Sequence, residues 1–153
     1  MKFEFSTDIP APREFVWKVA QDPLLRHKWD VRISKYIVHG VQETGAEVTI
    51  YFRVLFLRPI GKAKFLKFQP PFQSILKIEN VSPPLVPTGG GTWIMEDIPG
   101  GTRMVSRFHL DTHQVKNSPD WLIEFVVRRD TTRSLKKLKK LVLKLSEEEG
   151  GEK

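Results

Sequence analysis

Between Val31 and Thr112 the sequence supplies little except short alternating segments broken at turns, and after Ser118 it supplies one long helical stretch. That order constrains the fold most. Glu47 to Leu57 alternates Val48, Ile50, Phe52 and Val54 against Glu47, Thr49 and Arg53, the period of a strand with one buried face. Val31 to Gln42, Ile60 to Phe68, Gln73 to Val81, Thr92 to Ile98 and Thr102 to Thr112 read as further strands, joined at Glu43-Thr44-Gly45-Ala46, Arg58-Pro59, Gln69-Pro70-Pro71 and Pro99-Gly100-Gly101. Consecutive strands joined by tight turns predict an antiparallel meander.

A first short strand precedes them: Phe3, Phe5 and Thr7 alternate with Glu4, Ser6 and Asp8. Ile9-Pro10-Ala11-Pro12 breaks it, and Pro12 suits the first position of a helix carrying Val16, Trp17, Val19 and Ala20. Asp22-Pro23 ends that helix and starts a shorter one through Trp29. Ser118-Pro119-Asp120 is a helix start, with a capping hydroxyl, a proline in the first turn and an acid at the positive end of the dipole. That helix is expected to run to about Glu147, with residues 146–153 a frayed tail.

The order strand, two short helices, six strands, long helix resembles the superfamily of START domains, the major birch pollen allergen and the polyketide cyclase/dehydrase and lipid-transport proteins. The resemblance rests on Ile9-Pro10-Ala11-Pro12-Arg13-Glu14-Phe15-Val16-Trp17, on Asp22-Pro23 with Trp29, on Pro70-Pro71, and on Gly101-Thr102 opening the last strand. It implies an α+β helix-grip fold: a curved, seven-stranded antiparallel sheet with two short N-terminal helices, gripping one long C-terminal helix. Residues 1–153 would form a single START-like ligand-binding domain with a cavity between sheet and helix. In the pollen-allergen type a glycine-rich loop joins the second and third strands. Here that turn is only Thr44-Gly45-Ala46, so that subfamily's ligands are not expected.

Strand parity indicates which side chains face the helix. Met104, Ser106, Phe108 and Leu110 share one face of the last strand, and Arg103, Arg107, His109 and Asp111 the other. Ile50, Phe52, Val54, Leu76, Ile78, Met104, Ser106 and Phe108 are therefore expected to line a cavity. For Trp93 and Met95 against Ile94 and Glu96, and for the strand holding Phe65, the pattern is undecided.

On the long helix Leu135, Leu138, Val142 and Leu145 form an apolar stripe. Extended backwards at the same spacing it meets Thr131, Arg128, Glu124 and Trp121, so the seam turns polar midway. Either Glu124 and Arg128, four apart and able to pair, face the ligand, or the helix presents Leu122, Phe125 and Val126 inward and leaves both charges in water. Leu122, Phe125 and Arg128 join the expected ligand-binding set. Glu124 and Arg128, with Ser106 and Tyr36, are the candidate polar groups for any catalysis.

Other chemistries find less support. With no cysteine there is no thiolate nucleophile, disulfide or cysteine-bound metal. His109, Asp111 and His113 alternate on the outer strand face, about 6.6 Å apart at two-residue spacing, too far to converge, so no metal is expected. Thr88-Gly89-Gly90-Gly91 lacks the lysine and following helix of a phosphate loop and reads as a flexible loop at the cavity mouth. No cofactor is expected.

The net charge of +7 lies in one place: Arg128 to Lys144 holds eight basic residues and one acid, and the remainder is balanced. A solvated outer helix face accounts for it most simply. Docking on an anionic membrane surface comes second, and nucleic acid last, because no nucleic-acid motif accompanies the charge. No signal peptide or apolar span is visible, and a cytoplasmic protein is expected. The leading expectation is a non-enzymatic binder or carrier of an apolar or amphipathic small molecule, a lipid or polycyclic aromatic. The alternative is a cyclase- or dehydratase-like enzyme using the same cavity. The oligomeric state is left open.

Overall fold

The computed structural model describes residues 1–113, 115 and 118–151. β1 (Lys2–Ile9) is followed by α1 (Arg13–Gln21) and α2 (Arg26–Trp29). Six strands follow, β2 (Ile33–His39), β3 (Glu47–Phe52), β4 (Ile60–Gln69), β5 (Gln73–Ser82), β6 (Thr88–Ile98) and β7 (Gly101–Asp111), and then α3 (Asp120–Gly151). All seven strands form one antiparallel sheet in the order β1-β7-β6-β5-β4-β3-β2. Among the described residues only the β1–β7 pairing joins strands distant in sequence; the rest is the expected meander. This is the helix-grip architecture.

The boundaries differ from expectation in three places. Pro12 caps α1 from outside rather than opening it, its carbonyl accepting from the Phe15 and Val16 amides. β3 stops at Phe52, and Val54 to Leu57 closes as a separate tight turn with Leu55 at positive φ. The third correction concerns Gly89, Gly90 and Gly91, which are strand and not loop: β6 begins at Thr88 and these glycines pair with β5 on one side and β7 on the other. A central position satisfies their backbone groups from both sides, which outweighs glycine's poor strand propensity. α3 also stays helical to Gly151, past the expected start of a frayed tail; residues 152 and 153 lie outside the described residues.

The apolar side chains inside the fold form separate clusters. At one end Trp17, Val19 and Ala20 of α1 and Trp29 of α2 pack with Trp93, Met95, Met104, Leu135, Leu138 and Val142 into a solid core. A second cluster, Ile33, Tyr36, Val48, Ile50, Ala63 and Phe65, fills the curl of β2, β3 and β4. A third, smaller cluster seats the first half of α3 on the β1 edge through Phe3, Ile123 and Val127, with Phe5 and Phe108 packed against them, and the cavity lies beside it between that part of the helix and the sheet.

Candidate functional site

The cavity holds about 200 Å³ and lies between the inner face of the sheet and residues Leu122 to Asp130 of α3. Its far wall is built by register. On β5, β6 and β7, Leu76, Gly91 and Phe108 lie side by side, and so do Ile78, Gly89 and Leu110. Cross-strand neighbours share a face, so the two glycines leave a trough of bare backbone between two apolar ridges. Gly89 has φ +153, and a Cβ there would collide with the His109 carbonyl. A Cβ on Gly91 would stand 3.7 Å from the Phe108 Cβ, an ordinary contact, so its bareness is a matter of cavity shape. Leu55 and Leu85 line the cavity yet are exposed, which places its mouth at the β3–β4 and β5–β6 connections.

Of the residues expected from parity, Ile50, Phe52, Val54, Leu76, Ile78, Ser106 and Phe108 line this cavity, as does Leu122 from the helix. Met104 does not. It shares their strand face but lies at the closed end, fully buried in the core under α1 and α3. Trp93 and Met95, undecided by pattern, both point inward, and Trp93 reaches the cavity.

The polar pair on α3 faces away. Arg128 Nε donates to Glu124 Oε1 at 3.1 Å with both side chains more than half exposed, and the guanidinium lies 5.4 Å over the Phe3 ring at the sheet edge. Phe125 is exposed with them. The inward set is Leu122, Ile123, Val126, Val127 and Asp130. Of the two helix phases open from the sequence, the one that leaves Glu124 and Arg128 in water is found, and Arg128 and Phe125 are therefore removed from the ligand-binding set. His109 and Asp111 are exposed on the outer face of β7, and His113 is exposed beyond the end of that strand.

Three of the four charged residues that line the cavity, Arg26, Asp30 and Arg32, come from a segment whose charges the sequence does not mark, and Asp130 of α3 is the fourth. Asp30, at the C-cap of α2, accepts from Arg26 Nε at 3.1 Å through Oδ2, and through Oδ1 from the Arg32 amide at 3.2 Å and Arg32 Nε at 3.4 Å. Burial, the largest single influence, would raise the Asp30 pKa; the charges of Arg32 and Arg26 and the hydrogen bonds outweigh it and hold the carboxyl below its ordinary value. The Arg26 guanidinium sits among three rings, 4.7 Å from Trp29, 5.2 Å from Tyr36 and 5.4 Å from Trp93. Burial pushes the Tyr36 hydroxyl up, with the Arg26 charge opposing and the Asp30 charge adding to it. Asp130, from α3, is held by Arg129 at 3.1 to 3.2 Å. A solvated look in sequence, Arg26-His27-Lys28-Trp29-Asp30-Val31-Arg32, concealed this cluster. The available signal was the Arg26–Asp30 spacing of four around a tryptophan.

Comparisons with known proteins agree with this geometry. The family model described as "Polyketide cyclase / dehydrase and lipid transport" matches residues 1–143. Among curated proteins no sequence match is significant. Similar solved structures include a START superfamily protein from Mycobacterium smegmatis (TM-score 0.78, 10% identity, 94% of this chain and 98% of that one). An aromatase/cyclase from Streptomyces sp. R1128 aligns at TM-score 0.76 and 16% identity over 93% of each chain. A conserved protein from Geobacillus kaustophilus aligns at TM-score 0.78 and 14% identity over 94% and 96%. At these identities the likeness is one of fold.

Proposed function

This chain belongs to the polyketide cyclase / dehydrase and lipid transport family, and we propose that it binds or carries an apolar or amphipathic small molecule, a lipid or polycyclic aromatic, in the cavity under the first half of α3. The observation that carries this is the apolar trough over Gly89 and Gly91, walled by Leu76, Ile78, Phe108 and Leu110 and open between Leu55 and Leu85. A concave, mostly apolar space with a few converging polar groups has the character of a small-molecule site.

A cyclase- or dehydratase-like activity in the same cavity is the second reading, and the electrostatics favour it less. A general acid or base works best with a pKa near the working pH. Asp30 is held below the ordinary carboxylate range and Tyr36 above the ordinary phenol, so each is fixed in one protonation state around neutrality.

Native mass spectrometry of the purified chain, with organic extraction of whatever it retains, tests the binding reading. A co-purifying apolar molecule, or saturable uptake of the neutral fluorescent probe N-phenyl-1-naphthylamine, is expected. A protein that takes up neither sinks it.

Docking on an anionic membrane surface through the basic residues from Arg128 to Lys144 accompanies this proposal. It is supported by the exposure of seven of those eight side chains, Arg129 being half-buried. Sedimentation with anionic and with neutral vesicles decides it, and equal partitioning removes it. No helix of the described residues is long and apolar enough to cross a membrane.

A further inference from the structure

The cavity carries a charge imbalance that its own residues leave open. Three charged side chains meet on its wall beside Trp93: Arg26, Asp30 and Arg32. The side chains of Arg26 and Asp30 are buried, and that of Arg32 is about one-fifth exposed. Asp30 spends both oxygens on the two Nε groups and the Arg32 amide. The hydrogen bonds of both guanidinium groups to the described residues run through Nε, and their terminal nitrogens are not among the fully enclosed atoms left without a partner, so they are free to meet a ligand in the cavity whose wall both residues form. Asp130, the other carboxylate on the cavity wall, is engaged by Arg129. Two cations therefore share one anion, and the excess is one positive charge.

The aromatic rings around Arg26 do not remove that excess. Ring faces attract a cation, but they offer no lone pair in the plane where a guanidinium donates. An excess cation largely withdrawn from water is costly, and an arriving anion relieves it. Resting on the binding reading above, we propose that the ligand is an amphipathic monoanion, its carboxylate seated against the terminal nitrogens of Arg26 and Arg32 and its apolar body lying along the Gly89–Gly91 trough toward the mouth. A carboxylate fits because one negative charge balances the excess and because its two oxygens match the planar fork of a guanidinium. Arg32, which lies 5.8 Å over Phe108, would hold the junction of head and body, since Phe108 begins the apolar wall.

The test is competition for N-phenyl-1-naphthylamine on the full chain at pH 7, using dodecanoate, dodecan-1-ol, dodecyl phosphate and dodecyltrimethylammonium. Dodecanoate is expected to displace the probe at a concentration about tenfold or more below that of dodecan-1-ol, the scale of one charge-assisted hydrogen bond, with the ammonium weakest. Arg32→Gln should bring the acid-to-alcohol ratio close to one, and Arg32→Lys should recover part of it; the ratio cancels any general loss of binding. Equal displacement by acid and alcohol on the unsubstituted protein overturns the anion proposal and leaves the binding reading standing. Dodecyl phosphate ahead of dodecanoate overturns the carboxylate assignment. A probe that does not bind at all overturns the anion proposal, and if no apolar molecule co-purifies either, the binding reading falls with it.

Discussion

Arg26 and Asp30 form a buried ion pair one helical turn apart, Nε to Oδ2 at 3.1 Å, with the Asp30 side chain 1% exposed. Removing one member of such a pair strands the other in a poor dielectric, a change that typically costs about 3–5 kcal/mol. Asp30→Ala is expected to lower stability by that order in urea denaturation, and Asp30→Asn by less, because the amide oxygen can still accept one bond. The pH dependence follows from the direction of the shift. Since the folded carboxyl titrates below its unfolded value, near 3.9, its contribution is whole above that value. It is lost as pH falls through the lower folded pKa. The stability gap between the unsubstituted protein and Asp30→Asn should therefore be full at pH 6 and close progressively below about pH 4. A gap that holds constant to pH 2.5 would show that the Asp30 charge contributes nothing.

Glu124 and Arg128 pair on the solvent side of α3, with side chains 52% and 55% exposed. Exposed pairs at this spacing contribute about 0.3–0.5 kcal/mol. Glu124→Gln and Arg128→Gln are expected to shift the urea midpoint by no more than that scale and to leave uptake of the neutral probe unchanged. A loss of probe binding in Arg128→Gln would place this pair back at the cavity.

The contrast between these two pairs shows what the sequence could reveal. Parity worked on β7 because a strand has two faces: once Phe108 was inward, Ser106 and Met104 had to be. It could not say where along that face the cavity ended, since Met104 is covered by Trp17 and Leu138 from elements remote in sequence. On α3 the sequence leaves two phases open, and the structure has the one with both charges in water, except that Phe125 turns outward with them. Stepping back by four from Leu135 gives Thr131, Val127 and Ile123, all buried, whereas a step of three from Thr131 lands on Arg128, about 100° around the helix from Val127. Two charges four apart resembled a site, and the apolar Ile123, Val126 and Val127 were the truer signal. Arg26 and Asp30 are hidden for the opposite reason: α2 is four residues long, too short for periodicity to speak, and the rings around Arg26 include Tyr36 and Trp93 from strands remote in sequence.

Gly101-Thr102, part of the resemblance to the family, has a local physical cause. A Cβ on Gly101 would collide with the Ile9 carbonyl and come within 2.9 Å of the Pro10 Cα, so β7 can start against the end of β1 only without a side chain. Thr102 Oγ1, fully buried, donates to the Ala11 carbonyl at 2.7 Å and ties that start to the entry of α1. Gly101→Ala is expected to cost about 1–3 kcal/mol by overpacking against backbone. Thr102→Val should cost about 1–3 kcal/mol by leaving a buried carbonyl without its donor. Gly100→Asn, at a φ of +81 with open space around it, serves as control and should stay within about 0.5 kcal/mol, because asparagine tolerates that conformation. Melting curves in which Gly100→Asn falls as far as Gly101→Ala would mean that the turn, and not the contact with Ile9, makes the demand.

Gly91 separates the shape of the cavity from the stability of the fold. Its neighbours across the sheet, Leu76 and Phe108, both line the cavity, so a side chain at 91 enters the trough between them. Alanine there meets only ordinary contacts, and replacing a strand glycine relieves an entropic cost of roughly 0.5–1 kcal/mol. Gly91→Ala should therefore fold as well as the unsubstituted protein or slightly better, with probe binding weakened little. Gly91→Leu adds three more carbons in the direction of the bound body and should weaken the neutral probe and dodecanoate alike, by about tenfold or more, while circular dichroism and the urea midpoint hold. Because it acts on the apolar body, it should leave the acid-to-alcohol ratio intact, the reverse of what Arg32→Gln does. If Gly91→Leu binds as well as the unsubstituted protein, the ligand does not lie along β6, and the trough is no part of the site.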